Sequence, residues 1–78
     1  MNLYIQRFRA TCPANGRSVD YVLRIESTRM IFVEEIQKAT ADLEGYHEAL
    51  ADDLFAKFGG LQRLTAHHHG TDIETTRP

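Results

Sequence analysis

The stretch Ser18-Val19-Asp20-Tyr21-Val22-Leu23-Arg24-Ile25-Glu26 decides how this chain folds. Val19, Tyr21, Leu23 and Ile25 fall on one side of an extended backbone, while Ser18, Asp20, Arg24 and Glu26 fall on the other. A period of two marks a strand with one face in a core and the other in water. Upstream, Pro13 and Asn15-Gly16 signal a turn, because Asn and Gly both tolerate positive φ. Before the turn, Asn2 to Thr11 carries Leu3, Tyr4, Ile5 and Phe8 and reads as another strand, its alternation blurred by Arg7 and Arg9. The two runs make a β-hairpin with Cys12 at its rim.

After Ser27 the period lengthens. Phe32, Ile36, Ala39 and Leu43 recur at spacings of four, three and four, which is a helix face. Gly45 interrupts it. Tyr46, Leu50, Leu54 and Phe58 then repeat every four residues, with Phe55 beside them, and predict a second helix or a kinked continuation. Gly59-Gly60 is a helix stop. Leu61 to His68 and Thr71 to Thr76 are β-compatible runs joined at His69-Gly70. The last run holds only Ile73 as a large apolar residue, so it reads as an edge, a wet wall or a partner surface. The expected order is β-β-α-α-β-β, an α+β unit whose antiparallel sheet carries its helices on one face.

With 78 residues there is room for a single domain spanning 1-78. A domain this small buries only roughly 60% of the surface its unfolded chain exposes, and such chains usually need a staple or a partner copy. One cysteine excludes an internal disulfide, and no cysteine cluster suggests structural zinc. A homo-oligomer is therefore expected. The net charge of -2, with no basic stripe, argues against direct nucleic-acid binding. No apolar run approaches the roughly 18 residues of a membrane span. The start, Met1 to Arg7, lacks the basic-then-apolar order of a signal peptide, so the expected location is cytoplasmic, where a free thiol persists.

Four groups of residues carry candidate chemistry. Cys12 is a nucleophile if a nearby cation, helix terminus or base activates it, and Asp20, across the hairpin turn, is a candidate proton relay. A free cysteine is also, and more often, a small buried hydrophobe. In Tyr46-His47-Glu48, a histidine can move a proton near neutrality, and a glutamate can accept paired hydrogen bonds from a guanine-type base. Glu48 at a helix start equally serves the macrodipole. In His67-His68-His69, alternation on a strand puts His67 and His69 on one face as possible metal ligands while His68 points away. A polar strand end is the favoured reading, with no metal. Glu74, on the final strand opposite Ile73, either holds a ligand or is solvated.

The chain resembles the tunnelling-fold (T-fold) superfamily, whose unit runs strand, strand, helix, helix, strand, strand and assembles side by side into barrels. Within it the likeness is to the 7-cyano-7-deazaguanine reductases of queuosine biosynthesis. That family carries Cys-Pro-x-x-Gly followed by an aspartate, and an aromatic-His-Glu motif opening a helix. Cys12-Pro13-Ala14-Asn15-Gly16 with Asp20, and Tyr46-His47-Glu48, match them. The resemblance implies that Cys12 adds to a nitrile to give a thioimide, which NADPH reduces to an amine. It further implies that Asp20 moves protons, His47 assists and Glu48 holds the pyrimidinone edge of the base.

Two positions depart from the pattern. Asp20 stands one residue later than in the family, a shift that a longer turn would absorb. The stretch comparable to the family's lysine- and serine-rich nicotinamide motif reads Phe32-Val33-Glu34-Glu35-Ile36-Gln37-Lys38, sharing only its acidic start and Lys38. A related branch of the fold attacks the same nitrile with an amine donor and needs no nicotinamide. Two rivals stand beside this reading. One is a pterin- or purine-handling T-fold enzyme, cyclohydrolase- or pyruvoyl-tetrahydropterin-synthase-like, anchored by Glu74. The other is an oligomerising module with an incidental cysteine.

Overall fold

The computed structural model describes every residue, Met1–Pro78. Strands β1 (Asn2–Thr11) and β2 (Ser18–Ser27) form a long hairpin, followed by α1 (Val33–Ala39) and a two-residue strand β3 (Leu43–Glu44). Helix α2 (His47–Phe58), β4 (Leu61–His68) and β5 (Thr71–Arg77) complete the chain. The five strands lie in the order β3-β1-β2-β4-β5, antiparallel throughout except for the parallel β1–β3 pair.

The alternation of β2 is obeyed at each residue that matters for the core. Val19, Tyr21, Leu23 and Ile25 are buried, whereas Ser18, Asp20, Arg24 and Glu26 are exposed. Leu64 and Ala66 of β4, with Ala10 of β1, extend the buried face across the sheet. Ile36 of α1 and Leu50, Ala51, Leu54 and Phe58 of α2 cover it from one side. Each large side chain removed from water in this layer contributes about 1.5–3 kcal/mol. The opposite sheet face carries no helix, and there Leu3, Ile5 and Leu61 stay about half exposed.

The helix boundaries have local causes. Thr40 ends α1 by turning its Oγ1 back onto the Ile36 carbonyl at 2.8 Å, and Asp42 follows with φ 52°. That reversal corrects the expected helical face. Leu43 leaves the helix and pairs with Ala10 as part of β3, and Phe32 precedes α1 and stays exposed. At the end of α2, buried Gln62 donates from Nε2 to the carbonyls of Leu54 and Gly59 at 3.1 and 2.8 Å. The two bonds tie the last turn of α2 and its cap to the start of β4. Gly60 then turns the chain into β4 at φ +73°, in a gap where a Cβ would sit 2.5 Å from the Glu26 carbonyl oxygen. No helix is long and apolar enough to cross a membrane.

Candidate active site

Cys12 follows β1 directly and opens the hairpin turn. Its amide donates to the Arg17 carbonyl at 2.8 Å, and its own carbonyl accepts from the Gly16 amide at 2.8 Å. Both bonds fix the backbone at the rim, and Gly16 has the positive φ the turn needs, +70°. The Cys12 side chain is half-buried against the edge of the core cluster.

What brings the Tyr46-His47 motif to Cys12 is β3. Ala10 and Thr11 pair with Leu43 and Glu44, and the Gly45 amide continues the ladder onto the Thr11 carbonyl at 3.1 Å. The chain therefore enters α2 directly beside the end of β1. A cavity of about 180 Å³ opens there, lined by Cys12, Tyr21, Tyr46, His47 and His68. Val19, Ala66 and Ile73 supply apolar wall. A second depression of about 120 Å³ on the helix-free face, beside Leu3, Arg24 and Leu61, holds neither a cysteine nor a histidine.

Aromatic rings form a column that runs from β1 into the cavity wall. Phe8 stacks on Tyr21 at 5.1 Å between centroids, and Tyr21 stacks on His47 at 5.6 Å. His47 Nε2 lies 2.8 Å from Thr75 Oγ1 on β5. Its Nδ1 is shut off from solvent without a hydrogen-bond partner. Burial pushes the His47 pKa below the ordinary imidazole value; Glu48 pulls it up and Arg77 pushes it further down. The result is a neutral ring near pH 7, since a buried charge is costly. Burial raises the Tyr21 phenol above its ordinary value, and negative charge on Cys12 adds to that rise.

Other expected site residues lie elsewhere. Asp20 is on the helix-free face, where its Oδ1 accepts from Arg9 Nε at 2.8 Å. The turn does not absorb the extra residue. With Thr11 paired to Ser18, strand alternation puts Val19 on the cavity side and Asp20 opposite, so the proposed relay to Cys12 is not formed. Glu48 is exposed in the first turn of α2 and does not line the cavity. Glu74 is half exposed on the helix-free face and pairs with Arg63 at 3.3 Å.

The histidine run also divides. His67 Nδ1 meets Asp72 Oδ1 at 2.7 Å on the helix-free face, and His69 sits in the turn at φ 51°, beyond the end of β4. The shared face expected for those two is thus lost, and no cluster of three or more His, Cys, Asp or Glu could hold a metal ion. His68, expected to point away, faces the cavity instead. Tyr21, His68 and Thr75 were not among the expected site residues. The signal for all three was the strand alternation itself, which puts them on the same face as Leu23 and Leu64.

No protein-family model matches the sequence, and no curated protein matches it. The fold is similar to that of the crystal structure of the archaeosine synthase QueF-Like in the apo form, with a TM-score of 0.72 at 20% identity. The likeness covers 97% of this chain and 89% of that one. The chain is accordingly a small α+β domain, a five-stranded sheet with two helices, compatible with a T-fold-like unit.

Proposed function

We propose that this chain is a small enzyme that captures the nitrile of a 7-cyano-7-deazaguanine-type base as a thioimide on Cys12. The observation that carries the reading is the one cavity that joins Cys12 to Tyr46-His47. The fold shared with an archaeosine synthase supports the same class of base. A nitrile is a weak electrophile, and covalent capture divides one difficult step into two. At about 180 Å³ the cavity is smaller than the roughly 300–1,000 Å³ of sites for drug-sized ligands, which suits one flat ring system. Tyr46, 60% exposed at the mouth, offers a ring to stack on the base.

Glu48 lies outside its own subunit's cavity. Holding the pyrimidinone edge is therefore a task for an assembly in which Glu48 reaches the cavity of a second copy. Self-association is part of this reading, and the half-exposed Leu3, Ile5 and Leu61 leave apolar surface for it.

The step after capture has two versions. NADPH is the donor that the resemblance implies, but α1 does not fit its phosphates. The first turn of α1 carries Glu34 and Glu35, and its cation is Lys38 alone. A single cation leaves the phosphates without the charged contacts they need. This favours the second version, in which an amine attacks the thioimide carbon, the C–S bond breaks, and Cys12 leaves as the thiol with an amidine product.

Two measurements test the proposal. A 7-deazaguanine base should protect Cys12 from iodoacetamide, and undiminished alkylation at saturating base would remove the reading. Mass analysis of products should show an amidine with ammonium as donor; an amine formed with NADPH would restore the reductive version.

A further inference from the structure

The geometry points to His68 as the residue that exchanges the proton of the Cys12 thiol, the task for which Asp20 is on the wrong face. The mechanistic part of this inference rests on the nitrile-capture reading. Three observations support it independently of the resemblance.

First, His68 and Cys12 line the same cavity, entering it from β4 and from the rim of β1. Second, two other histidines are held by partners, and His47, though it lines the same cavity, has its free Nδ1 shut off from solvent. His47 is bound through Nε2 to Thr75 and is stacked on Tyr21, and His67 is bound to Asp72 across the sheet. Third, the one carboxylate near Cys12 in sequence, Asp20, is bound to Arg9 on the far side of the sheet. The His68 ring contacts His69 edge-on, with centroids 4.3 Å apart. An imidazole with no hydrogen-bond partner, lining the same cavity as a thiol, is a chemically suitable proton partner for it.

The step balances without an oxidant or reductant. The imidazole nitrogen of His68 takes the thiol proton, and Sγ forms a bond to the nitrile carbon. One π pair of the C≡N bond moves to nitrogen, which receives the proton back from the imidazolium. The product is the neutral thioimide and His68 is restored. The titratable groups that face this exchange are Tyr21 from β2, Tyr46 and His47 from the start of α2, and His69 from the β4–β5 turn. Glu48 and Arg77 act on it through His47.

The experiment measures two rates at Cys12 between pH 5.5 and 9 in the full-length chain. One is alkylation by iodoacetamide, and the other is adduct formation with 7-cyano-7-deazaguanine. His68→Gln should slow adduct formation by ~10²-fold. It should also remove the limb of the alkylation profile that follows an imidazole, and added imidazole should partly restore both rates in His68→Ala. Asp20→Asn and His67→Gln, on the opposite face, should match the unaltered chain. Equal rates and profiles in His68→Gln and the unaltered chain would overturn the inference. If the unaltered chain forms no adduct yet His68→Gln still loses the alkylation limb, the nitrile reading fails while His68 remains the thiol's proton partner. Circular dichroism checks that each variant is folded, with His68→Asn as the substitute if His68→Gln is not.

Discussion

Arg9 and Asp20 face each other across β1 and β2 with Nε 2.8 Å from Oδ1, on the side of the sheet turned away from Cys12. Alternation along a strand has no half-steps, so one extra residue in a hairpin moves a side chain from one face to the other. Asp20→Asn is therefore expected to leave Cys12 chemistry unchanged. Both partners are largely exposed, and exposed pairs contribute at most about 1 kcal/mol. Urea denaturation should record a loss no larger than that, while alkylation of Cys12 proceeds at the unaltered rate.

The hydrogen bond between His47 and Thr75 anchors the ring column to β5. Thr75→Val should leave both His47 nitrogens without a partner and cost about 1–3 kcal/mol, whereas Thr75→Ser should retain most of the stability. Chemical denaturation of the two variants distinguishes a lost hydrogen bond from lost packing.

Stability should also depend on pH through His47, whose pKa burial holds below the ordinary value. A base depressed in the folded state binds fewer protons there than in the unfolded state. Folding stability is thus intact above the ordinary histidine value near 6.5 and is lost as pH falls through the lower, folded value. Denaturation series between pH 8 and pH 5 should show this decline, and His47→Gln should flatten it. A decline of the same slope in His47→Gln would assign the effect to another group.

Gly60 tests the packing of the α2–β4 turn. Its φ of +73° disfavours any side chain, and a Cβ would approach the Glu26 carbonyl oxygen to 2.5 Å. Gly60→Ala is expected to cost more than the roughly 1–2 kcal/mol of a left-handed residue alone, because backbone must also move. Thermal or urea melts would read this directly. Gly16→Ala, with open space around its Cβ, should lose only the conformational part.

The hairpin was legible because its alternation and turn residues agree, and the buried set Val19, Tyr21, Leu23 and Ile25 is the set the pattern predicts. The two helices were legible from spacings of three and four, and the stop after α2 from the glycine pair Gly59-Gly60. Strand β3 was not. Leu43 fits the helical spacing of Phe32, Ile36 and Ala39, and only the turn at Thr40 and Asp42, fixed by tertiary packing, takes it out of the helix. That short strand is what seats His47 beside Cys12. The same alternation along β2 already put Asp20 on the outer face, whereas the side of His68 needed the register of β4, because Leu61 and Leu64 fall on opposite faces. Motif spacing pointed the other way, and strand geometry prevailed.

Intact-mass spectrometry after incubation with 7-cyano-7-deazaguanine tests the central claim most directly. The unaltered chain should gain the mass of one base, carried by the peptide containing Cys12, and Cys12→Ala should gain nothing. An unchanged mass in the folded chain, or an equal gain in Cys12→Ala, would contradict covalent capture at this cavity.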